Sequence, residues 1–486
     1  MYIHIKKWQR KFLHRFCIVC RNRIQEERTV LQQKYVIHAQ QALLNNGSES
    51  GWAENVRLTV EAGKFTAIES GVQAQSGDER HAVIIAGMPN LHSHAFQYGM
   101  AGLAEKRGPS ADSFWSWRDV MYRFALTMSP EQAEAVALRL YVDMLENGFT
   151  RVGEFHYLHH DRDGAPYADV AEMGKRIASA ANKSGIGLTL LPVFYAHSTF
   201  GGAVPNEGQR RFINSIDQYQ RLLDGCGTAL KNMDGAVLGV APHSLRAVTP
   251  DELKIVTQML PETPVHIHVA EQVKEVEDCI AWSGKRPVEW LLDNANLSDR
   301  WCLIHATHMT DDETTGMAKA GAIAGLCPVT EANLGDGTFN AGVFTQAGGK
   351  FGIGSDSNVL IGLGDELRQL EYSQRLQHRA RNVMAVAEGS TGRALFDGAL
   401  EGGNIAMGAR GQGLKTGASA DFVALDVSRL PHTKGDMVLD GLIFANRAKP
   451  AHVWVRGIKR VENGRHHLHE QAEAGFRAVL GALLED

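Results

Sequence analysis

The chain has 486 residues, a formal net charge of −5, and 44% hydrophobic against 22% charged residues. That balance fits a globular protein with one large domain and a smaller one. It carries no basic block in its body, which excludes a nucleic-acid binder, and no apolar run reaches the roughly 18 residues needed to span a bilayer.

Residues 1–33 stand apart. Lys6, Lys7, Arg10, Lys11, Arg15, Arg21 and Arg23 all precede the first acid, Glu26. The apolar piece after Lys11 is interrupted by His14 and Arg15 and has no small-residue cleavage site, so it is not a secretory signal. We read 1–33 as a dispensable basic extension. Its Cys17 and Cys20 form a lone C-x-x-C, too few ligands for a zinc ribbon. The six cysteines are sparse and scattered, as in a reducing, cytoplasmic compartment.

Short β-like pieces follow at Tyr35–His38, Asn55–Val60 and Phe65–Ile68, and the style returns at Ala420–Leu425 and His452–Val455. Segments 34–84 and 400–470 are therefore expected to form one small β domain from both chain ends, with a C-terminal helix over 471–486. Between them, eight strand candidates alternate with helical patterns: Val83–Pro89, Thr150–Phe155, Gly187–Phe194, Ala236–Ala241, Pro264–Val269, Trp301–His305, Ala322–Cys327 and Lys350–Gly354. The clearest helix runs from Pro130 to Asn147, with Gly148 as its stop, and another starts at Thr249-Pro250-Asp251-Glu252. Eight β–α repeats predict an α/β fold, a TIM (β/α)8 barrel over 85–399. A doubly wound sheet is the alternative, but no Gly-rich phosphate loop follows any strand.

In such a barrel, chemistry sits at the carboxyl ends of the strands. Strand 1 runs into Gly87-Met88-Pro89-Asn90-Leu91-His92-Ser93-His94, and an H-x-H pair on a strand points both imidazoles one way. Strand 5 ends in His266-Ile267-His268-Val269-Ala270-Glu271, strand 6 in His305, and strand 8 in Gly354-Ser355-Asp356-Ser357-Asn358. Each group alone has a plain structural reading, and together they converge on one rim. His92, His94, His268 and Asp356 make a nitrogen-and-oxygen set for a catalytic Zn2+ that activates water. Glu271 is placed as general acid/base, and His305 and Asp356 as its catalytic partners. Strand 4, over Gly235–Ala241, has no lysine to bridge a second metal, so one ion per subunit is expected.

This pattern resembles the mononuclear deaminases of the amidohydrolase superfamily, and the resemblance implies that the domain formed by 34–84 and 400–470 is that superfamily's small β-sandwich. Longer runs narrow the resemblance to the formimidoylglutamate deiminase family: Gly87–Gln97, Met100–Glu105, Ser116-Trp117-Arg118, Gly153–Tyr157, Ala241–Arg246 and Cys327–Gly337. The resemblance covers about residues 35 to 470 and implies hydrolysis of N-formimidoyl-L-glutamate to N-formyl-L-glutamate and ammonia, in L-histidine degradation, by a homodimer. It also implies a pocket of Gln97, Arg118, Tyr157, His243 and Arg246 around that small-molecule substrate. Two arginines suit a dianion. The alternatives are a related deaminase acting on guanine, an adenosine derivative or a chlorotriazine, and a non-catalytic barrel, which would lack a ligand or the proton shuttle. His159, His160, His466 and His467 are expected at solvent-exposed loop positions.

Overall fold

The computed structural model describes residues 34–45, 51–107, 114–409 and 411–485. The basic extension and its C-x-x-C lie outside these residues. Both ends of the described chain meet in one sheet. Strands β1 (Tyr35–Leu44), β2 (Gly51–Glu61), β3 (Lys64–Glu69) and β4 (Glu79–Ala86) come from the first end. The parallel strands are β5 (Met88–Ser93), β6 (Phe149–His156), β7 (Gly187–Phe194), β8 (Val237–Leu238), β9 (Ala241–Pro242), β10 (Val265–Val269), β11 (Trp301–His305), β12 (Ile323–Leu326) and β13 (Phe351–Ile353). The other end supplies β14 (Phe422–Asp426), β15 (Lys449–Val455), β16 (Ile458–Glu462) and β17 (Arg465–His466), then the helix His469–Glu485. The end sheet has the order β17-β16-β15-β14-β4-β1-β2-β3.

The expected strand Val83–Pro89 proves to be two. Val83, Ile84, Ile85 and Ala86 are buried because β4 is an interior strand of the end sheet, parallel to β1 and antiparallel to β14. Gly87 ends it, and β5 starts the parallel set one residue later. His92 therefore lies inside a strand and His94 just past it. Strand 4 also differs from expectation. It forms two short pieces, both on β7, because Val240 between them turns its N–H to Pro264 O, 3.0 Å away, on the β10 side. The remaining parallel strands lie within one residue of the predicted bounds, whereas β1, β2 and β15 of the end sheet run three or more residues longer than predicted. The helix Pro130–Glu146 starts with Ser129 and Gln132 in a reciprocal capping box, and Thr249 and Glu252 do the same for Pro250–Met259.

The parallel strands pair as β5-β6-β7-β8 and β10-β11-β12-β13. Parallel bridges Ser93↔Asp356, Val240↔Val265 and Ser244↔His268 connect the two groups. Leu91 from β5, Cys302 and Ile304 from β11, Ile323 from β12 and Met407 share one buried apolar cluster, so both groups face the same interior. The helix Thr391–Ala406 lies tight on β13. A β-carbon on Gly402 would overlap the Phe351 carbonyl and come within 2.8 Å of Phe351 N.

Gly402→Ala sets two effects against each other. Helix propensity favours alanine by about 1 kcal/mol, but the opposing atoms are backbone and cannot rotate away. Overpacking of about 1–3 kcal/mol wins, and chemical denaturation should show a net loss of stability.

Candidate metal centre and its pocket

The seam between β5 and the segment after β13 assembles the first part of the site. His92 O accepts from both Ser355 N and Asp356 N at 3.0 Å, and His94 N donates to Asp356 O at 3.0 Å. Asp356 turns back at φ +45°, so its carboxylate faces the two histidines. Buried side chains lock this seam. Asn90 Nδ2 donates to Ser355 Oγ (2.7 Å), which donates to Asn358 Oδ1 (2.6 Å). Asn358 Nδ2 donates to His94 O (3.0 Å) and Ser93 Oγ (3.2 Å). Asn358 holds φ +59°, a conformation asparagine tolerates.

His92, His94, His268 and Asp356 converge, with one ligand atom from each within 4.8 Å of the others. His94 Nε2 lies 3.0 Å and His92 Nε2 3.3 Å from Asp356 Oδ1, and His268 Nε2 is 2.9 Å from His92 Nε2. His94 Nδ1–H donates to Phe155 O (2.8 Å) and His268 Nδ1–H to His243 O (3.2 Å). Those bonds leave both Nε2 lone pairs aimed at the centre. Burial pushes His92 down to about 3 and His268 well below the usual imidazole range, so both are neutral, the metal-binding form. Lone pairs and a carboxylate facing one point repel without a cation. Four ligands at tetrahedral bonds of about 2.1 Å stand roughly 3.4 Å apart, close to the spacings here. The residues fit one metal ion, and no second such group occurs among the described residues.

Glu271 lies two residues beyond β10 and is 5% exposed. Burial raises its carboxyl above the usual range, against the pull of His305 and Arg246. His305 ends β11 at φ +68°. Its Nε2 is 3.8 Å from Glu271 and 3.9 Å from Asp356, and its Nδ1–H donates to Glu331 Oε1 at 3.3 Å. Burial opposes a charge on His305, but Glu271, Glu331 and Asp356 push it up to about 10. Glu331 is itself held by Cys327 N at 2.9 Å.

The predicted substrate residues line the same pocket as His94, His268, Glu271, His305 and Asp356. Trp117, Arg118, Met121 and Tyr122 reach it from one face of the helix Phe114–Thr127, at i, i+1, i+4 and i+5. Arg246 follows β9, is 9% exposed, and its Nε has no hydrogen-bond partner. Gln97 Nε2 donates to Tyr157 OH (2.7 Å) and its buried Oε1 stays unpaired. His243 lies between Tyr195 and His268, and burial beside Arg246 keeps it neutral. Every predicted site residue lines this one cavity except His92, which is fully buried and joins the site through the metal-type cluster.

Four residues were not singled out beforehand. Glu331, Asn358 and Glu275 stand within or beside motifs, and Glu275, four residues after Glu271, has helical spacing as its only signal. Arg211 has none. It is fully buried, and its guanidinium donates to Ala125 O (2.5 Å), Met128 O (2.9 Å) and His160 O (2.7 Å), clamping the end of the helix that carries Arg118. Three histidines expected on exposed loops are buried instead. His159, His160 and His466 donate from Nε2 to Val193 O, Ile213 O and Ser184 O at 2.9, 2.6 and 2.9 Å. Those backbone acceptors satisfy the rings inside the protein. His467 is exposed as expected.

Histidines and an aspartate gathered at the carboxyl ends of parallel strands, with a buried carboxyl beside them, define a metal-dependent hydrolase. The chain belongs to the amidohydrolase family, which matches residues 83–459. More particularly, residues 34–82 match the N-terminal domain of the formimidoylglutamate deiminase HutF. The formimidoylglutamate deiminase of Pseudomonas aeruginosa is 48% identical over 455 residues, covering 92% of this chain and 99% of that protein. A 5-methylthioadenosine/S-adenosylhomocysteine deaminase of Bacillus cereus is 25% identical over 426 residues, 85% of this chain and 90% of its own. Among solved structures, an amidohydrolase from Brucella melitensis is 74% identical with a TM-score of 0.91, covering 93% of this chain and 100% of its own. An adenosine deaminase from Xanthomonas campestris with bound zinc shares the fold at 19% identity and a TM-score of 0.77, over 93% of this chain and 99% of its own.

Asn358→Ala removes the side chain that ties the His94 strand to the Asp356 turn. Competition with a chelator should show metal affinity about 10–100-fold weaker.

Proposed function

We propose that this protein hydrolyses N-formimidoyl-L-glutamate to N-formyl-L-glutamate and ammonia, with one zinc ion held by His92, His94, His268 and Asp356. The observation that carries the reading is the pairing of Arg118 and Arg246 in the cavity that also holds Glu271 and the metal-type cluster. A flat neutral base has no use for two guanidinium groups, whereas a glutamate derivative has a carboxylate for each. The likeness to the Pseudomonas aeruginosa deiminase supports the same substrate. Three imidazoles and one carboxylate suit zinc. We also infer that the two parallel groups close into a (β/α)8 barrel, which the Ser93↔Asp356 and Val240↔Val265 bridges support. The end sheet is then the small β domain beside it. Four buried free thiols, Cys226, Cys279, Cys302 and Cys327, favour the cytoplasm. A homodimer belongs to the same reading, and sedimentation tests it.

When bound, the zinc ion lowers the pKa of a coordinated water and polarises the substrate. The chain's residues do the rest. Arg118 and Arg246 take the two carboxylates, and the unpaired Gln97 Oε1 accepts a substrate N–H, with Tyr157 and His243 completing the wall. Water oxygen adds to the formimidoyl carbon. Both water protons end on the terminal nitrogen. Glu271 delivers one, and Asp356 accepts the other before it passes on, while the protonated His305 donates a hydrogen bond toward the incoming oxygen. The bond from carbon to that nitrogen breaks with its electron pair on nitrogen. Ammonia leaves, and the formyl C=O remains. The raised Glu271 carboxyl suits a group that must hold a proton before it delivers one.

The direct test is ammonia release from N-formimidoyl-L-glutamate by zinc-loaded protein, beside guanine, adenosine derivatives and chlorotriazines. Release only from one of the last three overturns the reading. Glu271→Gln should cut turnover by about 100-fold or more, with the metal content by mass spectrometry unchanged. Arg118→Ala should raise KM about 10–100-fold while kcat moves far less. An unchanged KM removes Arg118 from the substrate site.

A further inference from the structure

Glu275 has no part in the chemistry above, yet it stands behind two residues that do. It is the third residue of the helix Val273–Ser283 and is fully buried. Its Oε1 accepts from Ala270 N and its Oε2 from Glu271 N, both at 3.2 Å. Those N–H groups belong to the turn that carries Glu271 out of β10. The turn is strained. Ala270 sits at φ +52°, in the left-handed region that a residue with a β-carbon rarely holds unaided. On the other side of the turn, Ala270 O accepts from His308 N at 3.0 Å. An ordinary capping box bonds the residue just before the helix. Glu275 instead reaches past Gln272 to the two residues before it.

The same carboxylate acts on Arg246. Burial works most strongly against that guanidinium's charge, and Glu275, ahead of Glu271, leads the groups that hold it up. Glu275 thus lends negative charge to Arg246, whose side chain lines the cavity and whose buried Nε has no hydrogen-bond partner.

We propose that Glu275 is a positioning residue for the reaction: its buried carboxylate sets the peptide that aims Glu271, and it lends negative charge to the buried guanidinium of Arg246. It thereby fixes where the proton donor stands. This rests on the roles given to Glu271 and Arg246 above.

The test compares the zinc-loaded parent, Glu275→Asp and Glu275→Gln in ammonia release from N-formimidoyl-L-glutamate, with metal content and melting temperature measured for each. Aspartate keeps the charge but is one methylene too short for both N–H groups. Its kcat should fall about 100-fold, as for a misplaced catalytic group, with KM within about threefold of the parent. Glutamine loses the charge and one acceptor, so kcat should fall and KM should also rise about tenfold or more. The split between the variants is a readout that a simple helix brace does not move. A brace alone lowers the melting temperature and leaves kcat and KM per metal-loaded site within about twofold of the parent. That result overturns the proposal, as does a Glu275→Gln KM at or below the parent's. If the glutamine variant does not fold, the aspartate variant decides on its kcat. If neither folds, Glu275 is a stability determinant and the proposal fails. An inactive parent instead overturns the assignment of substrate on which it rests.

Discussion

One carbonyl oxygen organises the centre of this protein. His92 O accepts from Ser355 N and Asp356 N together. Those two bonds stitch the first strand of the parallel set to the segment after its last strand. They also set the imidazole of His92 and the carboxylate of Asp356 side by side. Pairing of strands and assembly of the metal-type cluster are therefore the same event. The Asn90–Ser355–Asn358 chain of buried hydrogen bonds surrounds that stitch, and each of its members leaves a polar atom stranded if its neighbour is lost.

A second organising feature is the unusual density of buried carboxylates. Glu154, Glu271, Glu275, Glu331 and Asp356 are all less than a tenth exposed. All but Glu271 are held by something specific. Glu154 accepts from Ala95 N and Tyr141 OH, Glu275 from two peptide N–H groups, and Glu331 from Cys327 N and His305. Asp356 is held far below the usual carboxylate range by the histidines around it, although burial opposes this. Glu271 has no such partner within bonding distance among the described residues, and burial raises it. The environment thus separates Asp356, held as an anion beside the histidines, from Glu271, whose carboxyl burial raises and which is placed to exchange a proton.

Much of this was legible in the sequence. The H-x-H pair, the His268–Glu271 spacing, His305 and Asp356 all stand at the ends of apolar runs, and parallel strands deliver their ends to one side. The break at Gly87 was not legible, because Val83–Ala86 and Met88-Pro89 run on as one apolar stretch while belonging to different sheets. Arg211 and the buried histidines were hidden for a related reason. Their partners are backbone carbonyls, and a carbonyl leaves no mark in the residue string. Glu275 and Glu331 look like ordinary surface acids of amphipathic helices until the turns they hold are seen.

The end sheet has a consequence for how the protein is made. β4 is an interior strand only because Ala86 pairs with Phe422, and almost all of the parallel portion lies between them in the chain. A ribosome working at roughly 5–20 residues per second leaves β4 without that neighbour for tens of seconds. Through that interval the apolar run Val83–Ala86 offers an open, hydrophobic strand edge, the template on which chains aggregate. The last strands to emerge are thus a seal for the first, and an interrupted or shortened product keeps the hazard that the complete chain removes.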